Sequence, residues 1–330
     1  PPGRYCIIGA SRTPENAVPK RALLVLAIVS CCSSLFADQQ DYPFAIAVER
    51  ESAGHRIVAR NGGPAPVSVS VAIAGSRNIS ADRPLPLVAV LPAGGGSVEL
   101  ARIRPATPGA PYNFSTRSSW VLGDLNARQS ADALYRLPYR DGQAFHIGQA
   151  PGGPVSTHTS AESQYAVDIG MPEGTPVVAA RDGVVIFTEA RQVYGGRSPD
   201  LIGKANEVRI QHVDGTIAVY AHLAHRGVFV RPGQIVTAGT PIGLAGTTGY
   251  SSGPHLHFVV QTVARTGNGL AMVSLPFRFY VGKPPAIFSP RYGMYAVAQY
   301  SAPAPPPVAV APRQPRSEEH TSELQSPCNL

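Results

Sequence analysis

The sequence predicts an all-β protein, with an N-terminal β-sandwich followed by a second β-rich domain. Three observations favour this fold class. Glycine and proline are frequent, with 33 residues of each, and charged residues make up only 15% of the chain, which is typical of loop-rich β proteins. Short apolar runs alternate with turn residues along most of the chain, and helical periodicity is scarce.

Residues 38–127 are predicted to form the β-sandwich-like accessory domain. They contain the β-like runs FAIAVERE, HRIVARN, PVSVSVAIA and LPLVAVLP, separated by Pro, Gly and Asn. The alternation in PVSVSVAIA indicates a half-buried strand, and a segment of this length can bury its own core. We find no catalytic constellation here, because His55 stands alone, so we expect a spacing or docking role.

Residues 128–145 are predicted to be a linker, and residues 146–285 to be the second domain. That domain is dense in glycine turns such as EGTPV, RDGVV and VDGT. The runs TPVVAARDGVVIFT and EVRIQHVDGTIAVYAHL predict paired strands and hairpins. Residues 286–315 are rich in Pro and Ala and predict a tail without a packed core.

Residues 1–37 read as upstream sequence and a secretory signal peptide. Lys20 and Arg21 precede the apolar run ALLVLAIVS, which ends in small residues before the first β-like segment. The run is too short to span a membrane, and the alternative is a buried core helix. We predict an exported protein that acts in the periplasm, the cell envelope or outside the cell, with a lipid anchor on Cys31 as a minor alternative.

The C-terminal segment 316–330 contains RSEEHTSELQS, which resembles the in-frame translation of a sequencing-library adapter. We therefore exclude it, and Cys328 with it. The other cysteines, Cys6, Cys31 and Cys32, lie in or before the predicted leader. The mature chain would then have no cysteine, so any metal must be held by histidine and carboxylate.

The formal net charge of +7 at pH 7 favours contact with anionic surfaces. The charge is diffuse, however, and no Lys/Arg run is interleaved with aromatic residues. We therefore predict no nucleic-acid partner.

The stretch GPHLHFVV carries two histidines in a strand-like run. In a strand, residues i and i+2 point to the same face. His255 and His257 should therefore lie side by side, with Leu256 facing the opposite way. Paired imidazoles suit metal binding or acid/base chemistry, although such a pair also occurs without function.

Asp168 lies in the apolar, strand-like context YAVDIG. A buried carboxylate is costly unless it is paired or coordinates a metal, and the alternative is a carboxylate bonded to backbone amides at a strand end. One Asp, one upstream His and the HxH strand would give three protein ligands plus a water, as in a catalytic zinc site. Iron(II) is compatible with the same ligands.

Three blocks carry a family resemblance: YAVDIGMPEGTPVVAARDGVV, IQHVDGTIAVYAHL and VRPGQIVTAGTPIGLAGTTGYSSGPHLHFVV. Together, over residues 146–281, they resemble the lysostaphin/LytM-type zinc endopeptidases of bacterial cell walls. The resemblance implies a LytM-like domain with an open groove, one Zn²⁺ per chain, and hydrolysis of peptide bonds in peptidoglycan stem peptides or cross-links.

The resemblance also implies roles for individual residues. Asp168 and His257 correspond to zinc ligands. His255 corresponds to a catalytic base or proton shuttle. His222, in YAHL, corresponds to the other catalytic histidine, which stabilises the transition state or positions the water.

The first histidine ligand departs from the common pattern. Many members place it four residues before the Asp, and here that position is Gln164, a poor zinc ligand. The nearest upstream histidine is His158, ten residues before Asp168, and related members with a longer loop place a His similarly. We assign the third ligand to His158, with His146 as the fallback.

Two other functions compete with the peptidase reading. A catalytically inactive envelope protein of the same fold would bind peptidoglycan or activate another wall hydrolase, and such proteins typically lack ligands, whereas Asp168, His222, His255 and His257 are all present. A carbohydrate- or surface-binding module would need an aromatic strip, and the few aromatic residues of the sandwich fit a core equally well.

Overall fold

The computed structural model describes residues 42–303 except residue 268, together with residues 305 and 307–309. The predicted leader, the Cys31 anchor and the adapter-like segment lie outside the described residues. Within the described part, no helix is long and apolar enough to cross a membrane. The helical content described consists of one 3-10 turn, Pro199–Leu201. The all-β prediction is confirmed.

Seven strands form the N-terminal part of the described chain. In order they are β1 (Phe44–Glu51), β2 (Gly54–Asn61), β3 (Val67–Arg77), β4 (Ile79–Ala81), β5 (Leu87–Leu91), β6 (Gly96–Pro105) and β7 (Asn113–Leu122). They make a sheet in the order β1-β2-β6-β4 and a second sheet in the order β5-β3-β7. All of their pairings are antiparallel.

One hydrophobic cluster joins the two small sheets. The alternating run of β3 contributes Val69 and Val71, and β2 and β6 contribute Ile57 and Leu100 from the other sheet. Fully burying such a side chain stabilises a fold by about 1.5–3 kcal/mol. The N-terminal sheets therefore have a core of their own, as expected for a sandwich.

Seventeen further strands follow. They are β8 (Tyr135–Arg136), β9 (Ala144–Gln149), β10 (Val167–Gly170), β11 (Pro176–Val178), β12 (Gly183–Glu189), β13 (Gly195–Gly196), β14 (Asn206–Gln211), β15 (Ile217–Val228), β16 (Ile235–Val236), β17 (Pro241–Ala245), β18 (Gly249–Tyr250), β19 (His255–Thr266), β20 (Gly269–Ser274), β21 (Phe279–Val281), β22 (Ala286–Phe288), β23 (Met294–Val297) and β24 (Val308–Ala309). Twelve of them form one sheet: nine follow the path β16-β12-β14-β15-β19-β10-β9-β23-β24, and three lie off it, with β17 paired to β15 and β11, and β20 paired to β19.

Regular structure extends past both boundaries that the sequence suggests for the second domain. Tyr135, Leu137 and Tyr139, from the predicted linker, are fully buried in the main core. On the C-terminal side, Tyr139 donates a 2.8 Å hydrogen bond to the carbonyl of Ala296, and Ala296 is itself fully buried. Aromatic and small apolar side chains in these segments pack against the sheet despite the surrounding Pro and Gly.

The two parts of the chain share a second hydrophobic cluster. Val67 and Leu122, from the sandwich strands β3 and β7, are buried together with Ile217, Val259 and Val263 from β15 and β19. The N-terminal sheets therefore pack against the large sheet.

Candidate metal centre

Three adjacent strands of the large sheet carry the candidate site. Strand β19 pairs antiparallel with β10, which sets Asp168 opposite His257. On its other side β19 pairs with β15, which sets Ala221 opposite His257 and places His222 one residue further along. Leu256 is fully buried while its two neighbours are partly exposed. The predicted same-face arrangement of His255 and His257 is therefore present.

His158, Asp168 and His257 converge. One ligand atom from each residue lies within 4.8 Å of the other two. His158 Nε2 lies 3.3 Å from Asp168 Oδ1, and His257 Nδ1 lies 3.0 Å from the same oxygen. A tetrahedral zinc site with bonds of about 2.0–2.1 Å places neighbouring ligand atoms roughly 3.3 Å apart. The distances from both histidine nitrogens to the Asp168 oxygen fit such an ion.

The donor set suits zinc chemically as well. Two imidazole nitrogens and one carboxylate oxygen, with no thiolate, are borderline ligands that zinc accepts. Three protein ligands leave a fourth position open, which distinguishes a catalytic from a structural zinc site. The same three ligands also suit iron(II), so the donor set alone leaves both metals possible.

The Asp168 carboxylate is held in its charged form. It is buried, with 7% of its surface exposed. Burial alone raises the pKa of this carboxyl, but hydrogen bonds from His158 and His257 outweigh it and hold the pKa well below its usual range. The ligand carboxylate is therefore ionised at any pH at which the protein would work.

His255 presents one ring nitrogen to the site. Its Nδ1 lies 2.8 Å from the carbonyl oxygen of Gly253, and a carbonyl only accepts, so Nδ1 carries the proton in the neutral ring. Nε2 is then left with its lone pair, 3.7 Å from Asp168 Oδ2. This nitrogen can accept a proton from a group bound beside the ligands.

The His222 ring makes the same kind of hydrogen bond, with Nδ1 against a backbone carbonyl. Its Nδ1 lies 2.7 Å from the carbonyl oxygen of Thr248, and its ring centroid lies 4.6 Å from that of His255 and 5.8 Å from that of His257. Burial, reinforced by the neighbouring histidines, lowers the pKa of His222 to about 3. His222 is therefore neutral near pH 7, with Nε2 free to accept a hydrogen bond.

The backbone of His222 is in a strained conformation. Its φ of 63° lies in the left-handed region, which residues other than glycine adopt at a cost of about 1–3 kcal/mol. Buried hydrogen bonds hold the next residue: Thr248 Oγ1 donates to the Leu223 carbonyl at 2.7 Å and accepts from the Asn206 amide at 2.9 Å. The network around Thr248 therefore fixes both the backbone and the ring of His222.

The remaining sequence candidates lie outside the cluster. Gln164, at the common ligand position, is exposed. The fallback His146 is not one of the three converging ligands, and its ring contacts that of Tyr292. His212 is buried and bonds to the carbonyl of Asp182 at 2.7 Å, and His225 is exposed.

Sequence reasoning missed two residues that hold the site. Thr248 positions His222, and Gln149 donates from Nε2 to Asp168 Oδ2 at 2.7 Å. The only sequence signal for Gln149 is a polar residue at the end of an apolar strand run. No short-range pattern links it to Asp168, because the contact spans 19 residues.

Residues 162–270 match the family described as Peptidase family M23. This segment of the chain belongs to the M23 family. The match begins after His158, so this residue is placed in the M23 site by the geometry above rather than by the matched segment.

Several curated proteins resemble the M23 segment. The chain is 36% identical over 110 residues to the DD-carboxypeptidase/endopeptidase Mpg of Neisseria meningitidis serogroup B, covering 33% of this chain and 22% of that protein. It is 39% identical over 103 residues to the peptidoglycan DD-endopeptidase ShyA of Vibrio cholerae, covering 31% and 21%. It is 38% identical over 126 residues to the glycyl-glycine endopeptidase ALE-1 of Staphylococcus capitis, covering 38% and 32%.

Among solved structures, the catalytic domain of lysostaphin from Staphylococcus simulans aligns with 40% of this chain and 87% of that domain, at 30% identity and a TM-score of 0.26. The chain spans between about a fifth and a third of the length of the three curated relatives given above. The relationship therefore concerns the M23 segment.

Proposed function

We propose that this M23 protein is an exported, zinc-dependent endopeptidase that hydrolyses peptide bonds in peptidoglycan stem peptides or cross-links. The observation that carries the proposal is the convergence of His158, Asp168 and His257, with the Nε2 atoms of His255 and His222 left free beside them. The names of the relatives, a DD-carboxypeptidase/endopeptidase, a peptidoglycan DD-endopeptidase and a glycyl-glycine endopeptidase, support a peptidoglycan substrate.

His158, Asp168 and His257 would hold the ion through His158 Nε2, the carboxylate and His257 Nδ1, since these atoms face one another. A bound zinc ion supplies Lewis acidity and makes a coordinated water acidic near neutral pH. The low pKa of Asp168 keeps one negative charge among these ligands.

His255 is the proposed general base. The Gly253 carbonyl fixes its Nδ1 proton, so Nε2 takes the proton of the attacking water and later delivers it to the leaving amine. A positioned acid/base of this kind contributes about 10²–10⁴-fold to the rate.

His222 is the proposed second catalytic histidine. Its neutral ring, with Nδ1 committed to Thr248, offers Nε2 as an acceptor that orients the attacking water. The second proton of that water lies in this hydrogen bond, and when it moves to Nε2 the same atom donates to the oxygen on which charge develops. Either contribution requires the ring orientation that the Thr248 carbonyl sets.

Two exposed tyrosines lie beside the segment that holds His222. Tyr194 is 76% exposed and Tyr250 is 47% exposed, and their segments are joined by the pairing of β13 with β18. We propose that they contact the substrate peptide at one wall of the groove.

As the bond cleaved, we favour one between D-alanine and a diamino acid over one in a glycine bridge.

The proposed function is tested by digesting purified peptidoglycan and separating the released fragments by chromatography. The zinc-loaded chain should convert cross-linked dimers to monomers in D-Ala-linked peptidoglycan. Asp168→Asn should lower this rate at least about 100-fold, because it removes the ligand charge. Failure of the zinc-loaded chain to open any peptide bond would reject the endopeptidase function. Release of fragments from glycine-bridged peptidoglycan alone would show that the preferred bond is wrong.

A further inference from the structure

The loop that carries His158 has little to hold it in place. It connects β9 to β10, and Val155, an apolar side chain within it, is 53% exposed. Its backbone–backbone hydrogen bonds between residues 152 and 160 are local, as in Gly153 to Ala150 and Ser156 to Gly153. Yet the His158 side chain is only 8% exposed, and its Nε2 lies 3.3 Å from Asp168 Oδ1. Something outside the loop must fix this geometry.

Gln149, the last residue of β9, contacts both Asp168 and the loop that carries His158. Its Nε2 donates to Asp168 Oδ2 at 2.7 Å. Its Oε1 accepts from the backbone amide of Thr157 at 2.7 Å and from the Thr157 hydroxyl at 3.1 Å. One side-chain amide therefore bridges the ligand carboxylate and the residue that precedes the ligand histidine.

The two oxygens of the Asp168 carboxylate have different partners. Oδ2 is occupied by Gln149, while Oδ1 faces both His158 Nε2 and His257 Nδ1. Only a side chain that donates and accepts at once can make both contacts. Outer hydrogen bonds of this type orient metal ligands, and their loss typically lowers metal affinity about 10–100-fold.

We propose that Gln149 is a positioning residue that locks the His158 loop onto Asp168 and thereby sets the zinc affinity of the site. The inference rests on the proposed zinc site. It accounts for how a histidine ten residues before the Asp reaches the metal in this chain, where the usual position holds Gln164.

The test compares the full chain with Gln149→Met and Gln149→Ala. Met keeps the length of the side chain and removes both polar groups, whereas Ala also removes packing. Gln143→Ala is the matched control, because Gln143 likewise accepts one backbone hydrogen bond, from Arg140 at 3.2 Å, but in a turn away from the ligands. Zinc affinity is measured by competition with a chelator, and Co²⁺ substitution gives a visible spectrum that reports ligand geometry.

Both Gln149 variants should bind zinc about 10–100-fold more weakly, with an altered Co²⁺ spectrum. Amide exchange in residues 152–160 of the metal-free protein should be faster. The melting temperature of metal-free Gln149→Met should fall only modestly, and the Co²⁺ spectrum should change in the folded protein, since a residue of merely structural importance would lower the melting temperature without altering the ligand geometry. Gln143→Ala should leave zinc affinity and spectrum unchanged.

Zinc affinity and a Co²⁺ spectrum in Gln149→Met equal to those of the native chain would overturn the proposal. An equal loss of affinity in Gln143→Ala would also overturn it. If the native chain binds zinc but opens no peptide bond, the proposed function fails while the role of Gln149 at the metal still stands on the affinity comparison.

Discussion

At the scale of single residues, hydrogen bonds to carbonyl oxygens separate histidines that look alike in the sequence. His255 and His222 each have Nδ1 on a carbonyl and Nε2 free. His257 instead turns Nδ1 to the Asp168 carboxylate. The HxH spacing predicts that His255 and His257 share a face. The choice of ring nitrogen depends on Gly253 and Asp168, so the spacing alone does not determine it.

Replacing His255 by Gln should leave zinc bound and lower the rate of peptide-bond hydrolysis about 10²–10⁴-fold, because only the proton acceptor is lost. Zinc content and initial rate are measured on the same preparation. The control is His225→Gln, since His225 is exposed and bonds only weakly, at 3.2 Å, to the Gln192 carbonyl. A rate within tenfold of native in His255→Gln would contradict the assignment of the base.

His212 should make stability depend on pH. It is buried, its Nε2 has no hydrogen-bond partner among the described residues, and burial lowers its pKa from 6.5 to about 4. The unfolded state therefore binds the proton more readily. Its contribution is complete above about pH 6.5 and is lost as the pH falls through 4, on the order of 3 kcal/mol in all.

The check is urea unfolding of the metal-free chain and of His212→Gln between pH 7 and pH 4. The native chain should lose more stability over this range than the variant, by up to the amount given above. Parallel pH profiles for the two proteins would contradict the role of His212, because other buried groups contribute equally to both.

At the scale of elements, the register of β10, β19 and β15 places the ligands, and a local departure from regular strand geometry places His222. The register shifts along β15 beyond Leu223, where the Thr248 network replaces regular strand pairing. Strand pairing of this kind follows from apolar patterning. The left-handed conformation of His222 does not, because its ring is held by the backbone carbonyl of Thr248, 26 residues away along the chain.

Removing the Thr248 hydroxyl should therefore destabilise the site. Thr248→Val removes the hydrogen bonds that the Leu223 carbonyl and the Asn206 backbone amide make with the Thr248 hydroxyl, at a cost of about 1–3 kcal/mol. Urea unfolding measures the cost. Thr262→Val is the matched control, since the buried Thr262 hydroxyl has no partner among the described residues. Equal unfolding free energies for the two variants would refute the proposed network.

At the scale of the whole molecule, the sandwich and the M23 sheet are joined by a common buried cluster. Leu122 is 1% exposed and packs in the same cluster as Ile217 and Val263. The sequence predicts both β-rich parts but not the buried cluster that they share. Alternating apolar residues show that a strand face is buried, and they do not show which sheet covers it. The same limit hides the buried Tyr135 and Tyr139, which stand in a segment rich in polar residues.

Leu122→Ala should lower the free energy of unfolding by about 2–5 kcal/mol and should weaken both parts together. Denaturant unfolding followed by Trp120 fluorescence and by far-UV circular dichroism should give coincident transitions in the native chain. Val213→Ala is the control, because Val213 is 97% exposed. Loss of the fluorescence transition alone, with the remaining strands unaffected, would contradict a shared core.

The central claim is that His158, Asp168 and His257 hold one zinc ion, and zinc stoichiometry on the purified chain tests it most directly. Elemental analysis under metal-replete conditions should give about one zinc per chain. It should give almost none in His158→Ala and an unchanged content in His146→Ala, because only the first histidine lies beside Asp168. No zinc in the native chain, or zinc retained in His158→Ala and lost in His146→Ala, would contradict the claim.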